Sequence, residues 1–134
     1  MAAPSSPFHG ACLCGAVHFE VAGATKWCAH CHCTMCRRAH GAAFVTYVGV
    51  HEHDLSLEGE EHLRWYSSSD DAERGFCTVC GTTLFFRGQR LPGEMHIVRS
   101  NFEGPIDREP ATHVFYNTHV DWVRLADDLP RQPG

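Results

Sequence analysis

Apolar residues recur at every second position over several short stretches of the chain. Val17, Phe19 and Val21 alternate with His18 and Glu20. Phe44, Thr46, Val48 and Val50 alternate with Val45, Tyr47 and Gly49, and Leu63 and Trp65 with Arg64 and Tyr66. A strand sends successive side chains to opposite faces, so this period predicts half-buried strands. Later runs at Thr82–Phe86, Met95–Val98, His113–Tyr116 and Val120–Leu125 are short and rich in β-branched or aromatic residues, and predict more strands. Glu58-Gly59-Glu60 predicts a hairpin turn joining Leu55–Leu57 to Leu63–Tyr66, and Leu91-Pro92-Gly93 predicts another turn. The one predicted helix is short, Thr34–Ala39, with Gly41 placed to end it. The class is therefore mainly β, built from short antiparallel strands.

The chain has 134 residues, which suits one core. We expect a single domain over residues 8–129, between a proline-containing N-terminal tail (1–7) and a C-terminal tail (130–134). Eleven Lys and Arg against sixteen Asp and Glu give a formal charge of -5. That leaves no basic footprint for a phosphate backbone, so nucleic acid is not an expected partner. The sequence lacks both a secretory start and an apolar stretch of about 18 residues or more, which predicts a cytoplasmic chain without a membrane partner.

Eight cysteines in a chain expected to meet a reducing compartment point to metal thiolates rather than disulfides. Seven of them cluster: Cys12-Leu-Cys14-Gly15, Cys31-His-Cys33-Thr-Met-Cys36 and Cys77-Thr-Val-Cys80-Gly81. Two thiolates converging on one ion need a tight turn, and the glycine that follows each close pair supplies positive φ. Zinc is the expected metal, because no iron–sulfur cluster spacing is present. A closed zinc site takes four ligands, so seven cysteines imply a second site with an open position. Cys12, Cys14, Cys77 and Cys80 can meet as a four-cysteine site, leaving Cys31, Cys33 and Cys36 with a vacant fourth place. A four-cysteine site that takes two of the central three is equally possible by arithmetic and strands one thiol.

The segments from Gly10 to Val17, from Cys31-His-Cys33-Thr-Met-Cys36-Arg37-Arg38 to Phe44, and from Arg74-Gly-Phe76-Cys77-Thr-Val-Cys80-Gly81 to Leu84 closely resemble the glutathione-dependent formaldehyde-activating enzyme family, also called the centromere protein V-like family. The resemblance extends to His113 and Trp122. It implies an Mss4-like all-β fold with zinc knuckles and two zinc ions per chain. In that arrangement Cys12, Cys14, Cys77 and Cys80 hold a structural zinc, and Cys31, Cys33 and Cys36 hold a catalytic one. It also implies a carbon–sulfur lyase-type reaction on glutathione–formaldehyde or related thiol adducts, with glutathione or a similar small thiol as the partner. The alternative is a non-catalytic zinc-binding interaction module of the same fold. Zinc stabilises a bound thiolate at neutral pH, which suits addition to a carbonyl carbon.

Cys28 is expected to be a buried or spare thiol. His30 and His32 flank Cys31, and His32 is expected to point away from the ligands if the segment is extended. His40, His51, His53 and His62 have no metal-like spacing and are expected at the surface. Arg37 or Arg38 could pair with substrate carboxylates, although at least one is expected in a structural ion pair. Phe44, Phe76, Phe85 and Phe86 are expected in the core or a pocket wall, and a buried Trp122 hydrogen-bonded near His113 would need no catalytic role.

Overall fold

A computed structural model describes residues 4–134, so the expectation for the first three residues lies outside the described residues. In chain order the elements are β1 (Phe8–Ala11), β2 (His18–Val21), β3 (Trp27–Cys31), α1 (Thr34–His40), β4 (Val45–His51), β5 (Leu55–Glu58), β6 (Leu63–Ser69), β7 (Ala72–Cys77), β8 (Thr83–Gly88), β9 (Glu94–Val98), β10 (Phe102–Glu103) and β11 (His113–Val114). They form a four-stranded sheet in the order β10-β1-β2-β5 and a seven-stranded sheet in the order β11-β3-β4-β9-β8-β7-β6. Pairing is antiparallel except for β3 with β11.

Alternation along the strands sorts the core. Phe19 and Val21 of β2 face the second sheet, where Val48, Val50, Phe85 and Ile97 meet them in one apolar cluster. Phe19 packs edge-on against Phe85 and Phe102, at centroid distances of 5.7 and 5.1 Å. The opposite face of the seven-stranded sheet carries a second cluster, with Cys31, Val45, Tyr47 and Val98 beside Trp27, Cys33 and Phe86. A strand covered on both faces loses the clean period of two. This explains why β4 buries five of its seven residues and why β3 gives no alternating signal in the sequence.

The expected hairpin over residues 55–66 does not form. β5 pairs with β2 in the small sheet and β6 pairs with β7 in the large one, so the segment crosses between sheets. Gly59 makes that crossing at φ +81°, and a Cβ there would strike the Ala16 carbonyl oxygen. Residues 120–125 are irregular rather than a strand, and Trp122 is 69% exposed rather than buried. The run from His113 is a strand only to Val114 and continues into a 3₁₀ turn at Tyr116–Thr118. The C-terminal residues expected as a tail lie against β11. His113 N–H donates to the Pro130 carbonyl at 2.9 Å, and Gln132 N–H returns to the His113 carbonyl at 2.8 Å. The helix appears where expected and ends at Gly41, in the left-handed region at φ +59°. Among the described residues no helix is long and apolar enough to cross a membrane.

Candidate functional site

Two hairpin tips build the first centre. Cys12 and Cys14 sit in the β1–β2 connection of the small sheet, while Cys77 ends β7 and Cys80 lies in the β7–β8 connection of the large one. Each turn closes by a backbone hydrogen bond from the glycine N–H, Gly15 to Cys12 at 3.1 Å and Gly81 to Cys77 at 2.8 Å. Both glycines are left-handed, at φ +82° and +78°. The Val17 and Val79 N–H groups donate to the sulfurs of Cys12 and Cys77, each at 3.3 Å. All four sulfurs lie within 4.8 Å of one another, with Cys12–Cys14 at 3.7 Å and Cys14–Cys77 at 3.8 Å. A tetrahedral zinc with about 2.3 Å bonds sets its sulfurs about 3.8 Å apart, so this donor set fits a metal of that kind. The hydroxyl of Thr82 and then its backbone lower the Cys80 thiol to about 5, whereas Cys14, against the pull of the Ala16 N–H, is pushed up to about 12 by desolvation and the neighbouring sulfurs. Leu13 N–H also donates to Thr82 Oγ1 at 3.1 Å, reinforcing the join between the sheets.

The central cysteines stand on the other face of the large sheet. β3 delivers Cys31 at its end, the chain turns through His32 and Cys33, and α1 brings Cys36 back, buried in the second cluster. Cys31 and Cys36 sulfurs are 3.5 Å apart. Cys33, half-buried on the same cleft, does not join them in a three-sulfur group within 4.8 Å; the first centre is the one such group among the described residues.

Arg74 on β7 reaches this pair, donating through Nη2 to Cys36 Sγ at 3.5 Å and through Nη1 to Tyr47 Oη at 3.1 Å. Tyr47 donates to Cys36 Sγ at 3.7 Å. Arg74 is itself 6% exposed, with its guanidinium 5.0 Å from the centre of the Phe86 ring. The Cys31 hydrogen bond, together with Arg74 and Tyr47, outweighs burial and lowers Cys36 to about 5, while the same pairing pushes Cys31 up. Cys36 Sγ is thus the sulfur on which the donors converge, from Cys31, Tyr47 and Arg74.

Histidines brace the segment from behind. His32, 2% exposed, places Nε2 at 2.8 Å from His113 Nδ1, and His113 Nε2 lies 3.0 Å from Asp127. The carboxylate can only accept, so His113 donates through Nε2, and a single proton bridges His113 Nδ1 and His32 Nε2. His32 N–H donates to the Val114 carbonyl at 3.0 Å and Thr118 Oγ1 to the His32 carbonyl at 3.0 Å, which fixes the residue between Cys31 and Cys33. His30 is bound to Thr46 Oγ1 at 2.7 Å, and Cys28 is buried in the inter-sheet core. His40 is not a free surface residue: it lies 3.2 Å from Tyr47 Oη.

A cleft of about 690 Å³ opens over Cys31, Cys33 and Cys36, within the range of about 300–1,000 Å³ usual for small-molecule sites. Arg74 and Arg90 line it; Arg37 and Arg38 do not. Tyr47, Arg74 and His96 carry no local motif because they sit on three different strands. The register brings them onto one face: Arg74 pairs with Phe86, Phe86 with His96, and His96 with Gly49, two residues from Tyr47. His96 Nε2 is held by Glu94 at 2.9 Å, and Glu94 also accepts from Lys26 Nζ at 2.7 Å and Trp27 Nε1 at 2.8 Å.

Together these features define a mainly β protein of Mss4-like fold, with a four-cysteine centre that could bind a metal and a second cysteine group under a cleft. The model of a family described as glutathione-dependent formaldehyde-activating enzyme matches residues 7–118, and the chain belongs to that family. A Halomonas elongata protein named "Putative glutathione-dependent formaldehyde-activating enzyme" is 29% identical over 124 residues, covering 87% of this chain and 79% of its own. An uncharacterized lyase of Schizosaccharomyces pombe is 35% identical over 79 residues, covering 59% of this chain and 56% of its own. The crystal structure of a Rhodobacter sphaeroides protein superposes with a TM-score of 0.59 at 22% identity, over 92% of this chain and 99% of that one; this likeness concerns the fold.

Proposed function

We propose that this chain is a zinc-dependent carbon–sulfur lyase-type enzyme that makes and breaks adducts of a small thiol, such as glutathione, with formaldehyde or a related aldehyde. Cys12, Cys14, Cys77 and Cys80 would hold a structural zinc, and Cys31, Cys33 and Cys36 would hold a second that activates the substrate thiol. The observation that carries this reading is the Cys31–Cys36 pair at 3.5 Å, braced by Arg74 and facing a cleft in a member of this family.

When bound, the second zinc supplies Lewis-acid stabilisation of a substrate thiolate at neutral pH. Arg74 and Tyr47 hold the Cys36 thiolate by charge-assisted hydrogen bonds. His32, tied through His113 to Asp127, fixes the backbone between Cys31 and Cys33. Trp27 and Phe86 pack against the cluster that holds Cys31 and Cys36, which surrounds the sulfur pair with apolar carbon.

The test is exchange spectroscopy by NMR on glutathione and formaldehyde with catalytic amounts of zinc-loaded protein. Accelerated adduct exchange is expected, and Cys33→Ala is expected to abolish it while retaining the native chemical-shift dispersion. A rate equal to the spontaneous one contradicts the proposal, and loss of folding in Cys33→Ala identifies the second zinc as structural instead.

A further inference from the structure

The cleft over Cys31, Cys33 and Cys36 is far larger than a hydroxymethyl group requires, and its walls are mostly carbon. Trp27 and Phe86 line it. Met35, Leu91 and Phe115 line it as well, although they remain 41%, 47% and 43% exposed. Three large apolar side chains left half in water around a single cleft form a patch that a ligand can cover. Phe115 is held there at φ +54°, the one non-glycine residue among the described residues with positive φ, a conformation costly for a side chain of its size.

Charge argues the same way. A ligand with the two carboxylates of glutathione would be gripped along its length by paired cations. Of the two arginines on these walls, Arg74 is engaged with Cys36 and Tyr47, and Arg90 lies 3.5 Å from Asp71 at the surface. The interior therefore suits an apolar group, with polar ends left in water at the mouth.

We propose that the adduct handled here carries an apolar arm: the hemithioacetal of a small thiol with an alkyl or aryl aldehyde, its hydrocarbon chain lying along Trp27, Phe86, Leu91 and Phe115. This rests on the reaction proposed above and specifies its carbonyl partner. In the forward direction a carbon–sulfur bond forms at the aldehyde carbon, the carbonyl π bond opens, and the thiol proton ends on the former carbonyl oxygen. Nothing is oxidised or reduced. The reverse step returns thiol and aldehyde.

Two measurements on zinc-loaded protein test this. First, calorimetric titration compares S-methylglutathione with S-hexylglutathione, inert thioethers that differ only in chain length. A fully buried methylene is worth about fourfold in affinity, so even partial burial of five predicts S-hexylglutathione binding at least about tenfold more tightly. Phe115→Gly suits the positive φ, and Leu91→Ser alters an exposed turn. Each is expected to weaken the hexyl compound about threefold or more and leave the methyl compound unchanged. Second, adduct exchange is followed with glutathione and either hexanal or formaldehyde, and a higher kcat/KM is expected for hexanal. Equal affinities for the two thioethers, or both variants unchanged, overturn the apolar arm. If formaldehyde exchange is nonetheless accelerated, the proposed reaction stands without it. Chain-length-dependent binding with no acceleration for either aldehyde supports the apolar ligand class and contradicts the reaction.

Discussion

At the scale of single residues, Arg74 bears most on the chemistry. Its fork spans Cys36 and Tyr47 in a setting it shares with the Phe86 ring, and a lysine cannot reproduce two parallel donors. Arg74→Lys is expected to lower kcat/KM for adduct exchange about 10–100-fold, the range for losing one hydrogen bond to a charged group, with the thermal midpoint changed little by comparison. A second prediction concerns acid. Burial, and then the positive charge of Arg74, lower His40 from 6.5 to about 4. Burial also lowers His96, against the pull of Glu94. The unfolded chain takes up these protons near pH 6.5 while the native state resists them. Their contribution to stability is thus complete above that pH and lost as pH falls through the lower folded values. Urea midpoints are expected to fall between pH 7.5 and pH 5, and His40→Gln is expected to make that fall smaller. An unchanged fall contradicts the assignment to His40.

At the scale of elements, legibility in the sequence follows burial. β2 was readable because one of its faces is buried and the other wet, the condition under which alternation survives. β3 was not, because both of its faces are covered, and neither was β7, whose Ala-Glu-Arg-Gly start reads as a polar connection. The expected hairpin over residues 55–66 failed for another reason: Gly59 marks a turn, but a turn does not reveal which sheet receives each arm. The knuckles were legible because ligand pair and glycine lie within one turn. Arg74, Tyr47 and His96 were not, because only the register of three strands brings them together. Gly59→Ala tests the crossing directly. A side chain at φ +81° against the Ala16 carbonyl is expected to cost about 1–3 kcal/mol or more, measured by urea denaturation. Phe85→Ala, at the centre of the inter-sheet core with no exposed surface, is expected to cost about 3–5 kcal/mol by the same method.

At the scale of the whole molecule, seven of the cysteines fall into two spatially separate groups. The four-sulfur centre joins the tips of two hairpins from different sheets, about 65 residues apart in sequence, so a metal there clips the sheets together. The central three stand on the opposite face, one on a strand end and one on a helix, where they open to a cleft instead of closing the core. Losing the first centre should therefore unfold the protein, whereas losing the second should leave it folded. The most direct test of this division is zinc content per chain, measured by inductively coupled plasma mass spectrometry on the native protein and on Cys33→Ala. Two zinc ions in the native protein and one in the folded variant are expected. One zinc in the native protein, with Cys31, Cys33 and Cys36 all titrating as free thiols, would contradict the account.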